Sequence, residues 1–289
     1  MRRLGAVPVG AGAAEVCVWA PDARAVSVRS DEEVELERDG ECWVGRFAGE
    51  DYLLVVDGKA RPDPCSRWQP EGVLGRSRVV DTGAFEWSDD GWDGVPLDEL
   101  VIYELHVGTF SEAGTFDGVV PRLQGLRELG VTGIELMPVA TFPGERGWGY
   151  DGLYTYAAHP AYGGPHGLAR LVDAAHAEGL GVILDVVYNH LGPGSEALNA
   201  FGPYLSEDVQ TFWGAGLDFS QVGVREWAIQ NALAWVEDYG IDGLRLDARI
   251  LVAREERRLH RSRLSRVSRL RGVDAGGSRR QAHSGSWAG

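Results

Sequence analysis

Cysteine is scarce in this chain: Cys17, Cys42 and Cys65 are the three in 289 residues. An odd number with no metal-ligand spacing does not form a disulfide framework or a zinc site. It reads as reduced thiols in a cytoplasmic protein. Long apolar runs are missing too. None could span a bilayer, and Arg2-Arg3 is not followed by the apolar segment of a signal peptide. Positive charge is in deficit. The formal net charge of -15 argues against nucleic acid and against membranes as partners. No G-x-G-x-x-G follows the first strongly apolar strand, so dinucleotide binding has little support.

What is present supports a folded core. Hydrophobic residues make up 44% of the chain, enough for one large domain or two smaller ones. Residues 14–58 read as antiparallel strands. Val16 and Val18 alternate, as do Val26 and Val28, and Val34 and Leu36 alternate with Glu33, Glu35 and Glu37. Asp39-Gly40 and Asp57-Gly58 are hairpin turn signals. This spacing predicts a β-sandwich over residues 1–87. Residues 88–99 are polar and Gly-rich and read as a linker.

The pattern then changes. Val101 to Val107, Val131 to Val139, Gly181 to Val187 and Ile241 to Ala248 are largely apolar stretches of strand length that do not alternate. Between them lie helical stripes: Val119, Leu123 and Leu126 before Gly130; residues 167–178 with Leu168, Leu171, Val172 and Ala175; and residues 224–239 with Val224, Ala228, Ala232, Trp235, Val236 and Tyr239. Buried strands alternating with amphipathic helices predict a parallel α/β sheet over residues 100–248. Polar clusters follow the strands, where a (β/α)8 barrel keeps its active site. A doubly wound sheet would satisfy the same pattern.

Three clusters could carry chemistry. In Ile241 to Ala248, Arg245 and Asp247 share one face of a strand, because side chains alternate. A cation beside a carboxylate favours the ionised form, which suits a nucleophile for a sugar's anomeric carbon. It is equally what a structural ion pair looks like. Asp185-Val186-Val187-Tyr188-Asn189-His190 ends the third apolar strand. There Asp185 could orient Arg245 and His190 could donate to a sugar hydroxyl, or both could be satisfied core groups. Gly147 to Gly152, then Tyr154, Tyr156, His159 and Tyr162, combine aromatics with glycines. Aromatic faces stack on pyranose rings, although such a cluster also occurs as a core patch.

Taken together these segments resemble the α-amylase clan of glycoside hydrolases. Asp185 to His190 matches its D-x-x-x-N-H motif, and Gly243 to Ala248 matches its G-x-R-x-D-A motif. Val18-Trp19-Ala20-Pro21, Asp63 to Pro70, Tyr103 to Phe110, Glu135 to Val139, Phe142-Pro143-Gly144, Gly147 to Gly152 and Asn189 to Pro193 are similar to the maltooligosyltrehalose trehalohydrolase family within that clan. The resemblance covers roughly residues 14 to 248. It implies a multidomain fold, an N-terminal antiparallel β-sandwich followed by an incomplete (β/α)8 (TIM) barrel of four β/α units. It also implies retaining hydrolysis of the α-1,4 bond next to the terminal trehalose unit of maltooligosyl trehalose. By resemblance Asp247 is the nucleophile and Arg245 its orienting partner. Tyr150, His159 and His190 hold or stack the sugar, and Asp185 and Asn189 support them. No metal or cofactor is implied. Branching or debranching of α-glucans, and glucan binding without turnover, remain alternative readings.

The resemblance stops at Ala248. From Arg249 onward there are roughly eleven arginines against three acidic residues, Glu255, Glu256 and Asp274. Glu255 lies too near Asp247 to sit on the next parallel strand, since a crossover needs a dozen or more residues. The family's acid/base is therefore expected to be absent and the chain inactive. Residues 249–289 are expected to be a non-native or disordered tail, as a frameshift or truncation near codon 248 would produce. A genuine basic tail is the alternative. The reading frame downstream of that codon decides between them.

Overall fold

The computed structural model describes residues 2–89, 91–211 and 214–248. The sequence expectations for residues 249–289 lie outside the described residues.

Nine strands occupy the first part of the chain: β1 (Gly5–Gly10), β2 (Ala13–Trp19), β3 (Val26–Arg29), β4 (Glu33–Glu35), β5 (Glu37–Asp39), β6 (Cys42–Ala48), β7 (Asp51–Val56), β8 (Lys59–Arg61) and β9 (Ser77–Arg78). They form two antiparallel sheets, ordered β1-β2-β6-β5 and β4-β3-β7-β8, with β9 also pairing β7. Val16, Val18, Val26, Val28 and Leu54 are buried between them. Two features differ from the sequence reading. The alternating stretch from Glu33 to Glu37 is not one strand. It breaks at Leu36, whose N–H bonds the Val26 carbonyl at 2.9 Å. The chain there passes from one sheet to the other, with β4 on β3 and β5 on β6. Secondly, β1 precedes the predicted start. It is an edge strand containing Pro8, which donates no backbone hydrogen bond, so its pattern is weak.

The second part continues with β10 (Ile102–Leu105), α1 (Val107–Phe110), α2 (Phe116–Val119), α3 (Leu123–Glu128), β11 (Gly133–Leu136), β12 (Ala140–Thr141), β13 (Tyr154–Ala158), α4 (Gly164–Ala177), β14 (Gly181–Val186), β15 (Leu205–Thr211), β16 (Gly214–Leu217), α5 (Val222–Tyr239) and β17 (Gly243–Leu246). The sheet β10-β11-β14-β17 is parallel throughout. β12 with β13, and β15 with β16, make two-stranded ribbons in the loops after β11 and β14. The predicted first helix is broken. Pro121 lacks an N–H, and a 3-10 turn over Val120–Arg122 separates α2 from α3. The predicted strand at Val101 to Val107 ends at Leu105, because His106 already leads into α1.

α4 buries Leu168, Leu171, Val172 and Ala175, the predicted stripe. α5 is buried around more of its circumference, including Val224, Trp227, Asn231, Ala234 and Trp235. It packs against both the parallel sheet region and the N-terminal sheets. Trp227 donates its indole N–H to the Pro64 carbonyl at 3.3 Å. Gly223 leaves room for Trp19; a Cβ there would lie 2.0 Å from the indole. Trp19 meets Tyr204 edge-on with centroids 5.0 Å apart. Arg67, 4% exposed, reaches the Leu4 carbonyl at 3.1 Å and the Asp238 carboxylate at 3.8 Å. The two parts therefore share one apolar core.

The stretch read as a linker, residues 88–99, is tied down. Ser88 bonds Asp173 through its N–H at 2.6 Å and its hydroxyl at 2.8 Å. Trp92 stacks on His176 at 4.6 Å and donates to Asp242 at 2.8 Å. Its polar composition serves contacts to α4 and to the start of β17, as well as solvation. At the two edges of the parallel sheet, Val101, Ile102, Tyr103 and Leu246 are 55%, 48%, 37% and 39% exposed. Such edges are open to further pairing.

Candidate active site

Parallel pairing brings the three charged residues together. Asp185 near the end of β14 is the register partner of Arg245 in β17, so their side chains leave the same face. One Arg245 guanidinium nitrogen donates to both Asp185 oxygens, at 3.0 and 2.8 Å. The same nitrogen donates to Asp247 Oδ1 at 2.7 Å. The pairing runs one residue past β17, where the Asp247 N–H bonds the Val186 carbonyl at 3.0 Å. Ala248 then turns into the left-handed region with φ 43°, which a non-glycine residue adopts at some cost in strain.

Asn189 anchors the other side of Asp247. Its amide donates to Oδ2 at 3.0 Å and to the backbone carbonyl at 3.2 Å. Each Asp247 oxygen thus has a donor, and its side chain is still 15% exposed, against 0% for Asp185. The exposed carboxylate is the one available to a ligand, and the buried one orients its guanidinium. Burial raises the pKa of Asp185, partly offset by hydrogen bonds from Arg245 and Tyr150. The Arg245 contact to both of its oxygens favours the ionised form. Burial works against the Arg245 cation, but Asp185 and Asp247 outweigh it and push its pKa up.

Tyr150 reaches into this group, its hydroxyl donating to Asp185 Oδ2 at 3.0 Å. Close backbone approaches set the loop that carries it. Gly149 has φ +92°, and a Cβ there would lie 2.0 Å from the Pro138 carbonyl oxygen. A Cβ on Gly192 would lie 2.0 Å from that of Asp151. His190 is 1% exposed, with Nδ1 against the Asn189 side-chain oxygen. Burial lowers its pKa, while the Tyr150 backbone and the Asp247 charge pull it partly back.

His159 is a correction. It was expected to hold the sugar, yet it is 2% exposed and both ring nitrogens serve the backbone. Nε2 faces the Phe142 and Gly144 carbonyls at 3.3 and 3.1 Å, and Nδ1 accepts from the Ala161 N–H at 3.1 Å. Those contacts assign the proton to Nε2. The ring braces the loop after β12 and has no free nitrogen for a ligand.

Three further groups border the site: Trp148, from the aromatic loop read in the sequence, and His106 and Glu135, which were not among the expected site residues. Trp148, two residues before Tyr150, is 71% exposed. His106 bonds the Gly147 carbonyl at 2.8 Å and the Tyr162 hydroxyl at 3.1 Å, bracing the Trp148 loop. Glu135 is the register partner of Glu104. Burial raises its pKa, with repulsion from Glu104 and Asp185 adding to it. The available signal was period two: Glu104 and Glu135 each sit within an apolar strand on the Asp185 side. Among the described residues no group of three His, Cys, Asp or Glu could hold a metal ion. No helix there is long and apolar enough to cross a membrane.

A family profile described as the alpha amylase catalytic domain matches residues 88–213. The malto-oligosyltrehalose trehalohydrolase of Deinococcus radiodurans is 47% identical over 255 residues, covering 85% of this chain and 42% of that protein. The protein of the same name from Saccharolobus solfataricus is 45% identical over 245 residues, covering 80% and 43%. Over residues 88–213 the chain is similar to alpha amylase catalytic domains, and over most of its own length to these trehalohydrolases. A crystal structure of a putative alpha amylase from Salmonella typhimurium superposes with a TM-score of 0.84 at 39% identity. That superposition covers 89% of this chain and 46% of the other. The chain thus spans less than half the length of each of these relatives. The two stretches that resemble α-amylase motifs, Asp185 to His190 and Gly243 to Ala248, lie on or just after adjacent parallel strands and meet through Arg245.

Proposed function

We propose that this site is the nucleophile half of a retaining α-glucosidic hydrolase, and that the whole protein releases trehalose from maltooligosyl trehalose in the cytoplasm. The observation that carries this is Asp247. It is held on one oxygen by Arg245 and on the other by Asn189, and is left 15% open. Asp247 attacks the anomeric carbon and forms a glycosyl-enzyme ester; water then releases the sugar with the same configuration. Tyr150 stacks the ring that is attacked, and His190 and Asn189 shape its floor. Asp185 works by holding Arg245.

Retaining chemistry needs a second carboxyl roughly 5–5.5 Å away, to protonate the leaving oxygen. In this reading that acid lies outside the described residues. The architecture follows the same reading: residues 1–87 a β-sandwich, residues 88–99 its connection, and residues 100–248 the first four units of a (β/α)8 barrel. General acid help is worth about 10²–10⁴-fold, so residues 1–248 by themselves are expected to turn over maltooligosyl trehalose negligibly.

A fluoride leaving group needs no proton, which separates the nucleophile from the missing acid. Incubating the chain with 5-fluoro-α-D-glucosyl fluoride should release the anomeric fluoride and add one 5-fluoroglucosyl mass to the peptide containing Asp247, and Asp247→Asn should abolish it. Labelling at another residue, or none over many hours, would refute the assignment. Glucan binding without turnover is the second reading. Among the described residues the exposed large apolar side chains of residues 2–87 are Val9 and Leu74, neither aromatic. The N-terminal sheets thus offer little to stack a sugar, which favours the first reading. Branching or debranching would show as altered glucan linkage in place of free trehalose when the whole protein is assayed.

A further inference from the structure

At the opposite end of the parallel sheet lies a cleft of about 390 Å³ lined by Trp87, Asp89, Trp92, Glu237 and Gly240. We propose that it is a second α-glucan-binding site, separate from the one at Asp247. The separation follows from β17. Asp242, which holds the Trp92 indole N–H, precedes that strand and Asp247 follows it. Five residues of extended chain put roughly 13 Å or more between them.

The walls of the cleft are held by packing and hydrogen bonds where a sugar would stack. Trp92 is stacked on the buried His176 at 4.6 Å and 14°, its N–H is tied to Asp242, and its backbone N–H bonds the Asp89 carbonyl at 2.9 Å. One face of that indole is occupied, so the ring can present only the other. Trp87 is set edge-on to Phe85 at 4.8 Å. The polar part of the lining consists of acceptors. Asp89 is 15% exposed and Glu237 is exposed. Gly240 ends α5 with φ 68°, where helix carbonyls and the negative end of the dipole gather.

Aromatic faces with acceptors at the rim match a pyranose, whose C–H faces stack while its hydroxyls donate. Anionic ligands meet two carboxylates and a helix C-terminus and are repelled. A small cation would be attracted. The cleft, however, is larger than an ammonium head needs, and one face of Trp92 is already taken by His176. The identity of the sugar rests on the α-glucan reading above; the cleft itself does not.

The test is calorimetric titration of the full chain with maltoheptaose, in a Tyr150→Ala background that disables the site at Asp247. Binding should persist there. Trp87→Ala should weaken it about tenfold, as expected for loss of one aromatic stacking partner. Glu237→Gln, an exposed change that leaves packing alone, should weaken it severalfold. Trp87→Phe should restore most of the loss. The proposal is overturned if Tyr150→Ala removes all maltoheptaose binding. It is also overturned if Trp87→Ala and Glu237→Gln both leave the residual binding unchanged, or if tetramethylammonium binds the cleft and maltoheptaose does not. Labelling of Asp247 by the glucosyl fluoride is read separately, so a failure of the catalytic reading and a failure of this site are told apart.

Discussion

His176→Ala tests how the 88–99 segment is held. The imidazole is fully buried, with Nδ1 2.7 Å from Asp89 Oδ2 and Nε2 3.0 Å from Asp242 Oδ2. Its ring also carries the stacked Trp92. Truncation removes two hydrogen bonds to carboxylates, each worth about 1.5–3 kcal/mol, and opens a ring-sized void. Asp242 keeps donors from the Val182 N–H at 2.7 Å and from Trp92 at 2.8 Å, so it is not orphaned. The loss then falls near the lower end of the roughly 3–5 kcal/mol seen when a buried pair is broken. For a folded region of this size, about 3 kcal/mol corresponds to a drop of roughly 6–12 °C in Tm. Thermal melts by circular dichroism read the drop, and limited proteolysis should find a new cut within residues 88–99. Asp89→Asn combined with His176→Ala should cost less than the sum of the two, since they share a bond. A Tm within 2 °C of the parent, with no new cleavage, would show that the clamp contributes nothing and that the energy was misassigned.

Three further outcomes are expected. Burial alone would raise the Asp242 pKa, but hydrogen bonds from His176, Val182 and Trp92 outweigh it and hold it below the ordinary carboxylate range. That stabilisation is present above the unfolded value of about 3.9 and fades as pH falls through the lower folded value. Asp242→Asn should therefore flatten the acid limb of the stability curve below about pH 4, and an unchanged slope in acid titrations would contradict this. Trp148→Ala should leave stability within about 0.5 kcal/mol, as for exposed sites, while weakening maltotriose binding; equal affinity in a titration would remove Trp148 from the site. Cys42 is half-buried, its thiol pKa lowered chiefly by a hydrogen bond from Cys17. The Cys17 pKa is raised by that same bond and by burial, and burial raises that of Cys65. Iodoacetamide on the native protein should alkylate Cys42 first by peptide mass, and equal rates at all three would refute the burial order.

Local pattern was enough to read the parallel sheet and its helices. A buried strand such as Gly181–Val186 is apolar on both faces, and a helix such as α4 shows its stripe at 3.6-residue spacing. Both signals are carried by neighbouring residues. The meeting of Arg245 with Asp185 was readable because each sits near the end of a strand and parallel strands share a direction. The misread features depend on distant partners. Nothing around Leu36 says that its N–H will find Val26, which moves the chain between sheets. His159 sits among aromatics like a sugar ligand. Only the fold brings the Phe142 and Gly144 carbonyls onto its Nε2 and turns it into a brace. Residues 88–99 have the composition of a solvated linker, and it took the third dimension to lay Trp92 on His176, 84 positions away. Chain-local periodicity determined the four buried parallel strands, helices α4 and α5, and their order. Which polar side chains face a ligand, and which are consumed in satisfying buried carbonyls and carboxylates, was decided by tertiary packing, because a buried polar group takes whatever partner the fold delivers.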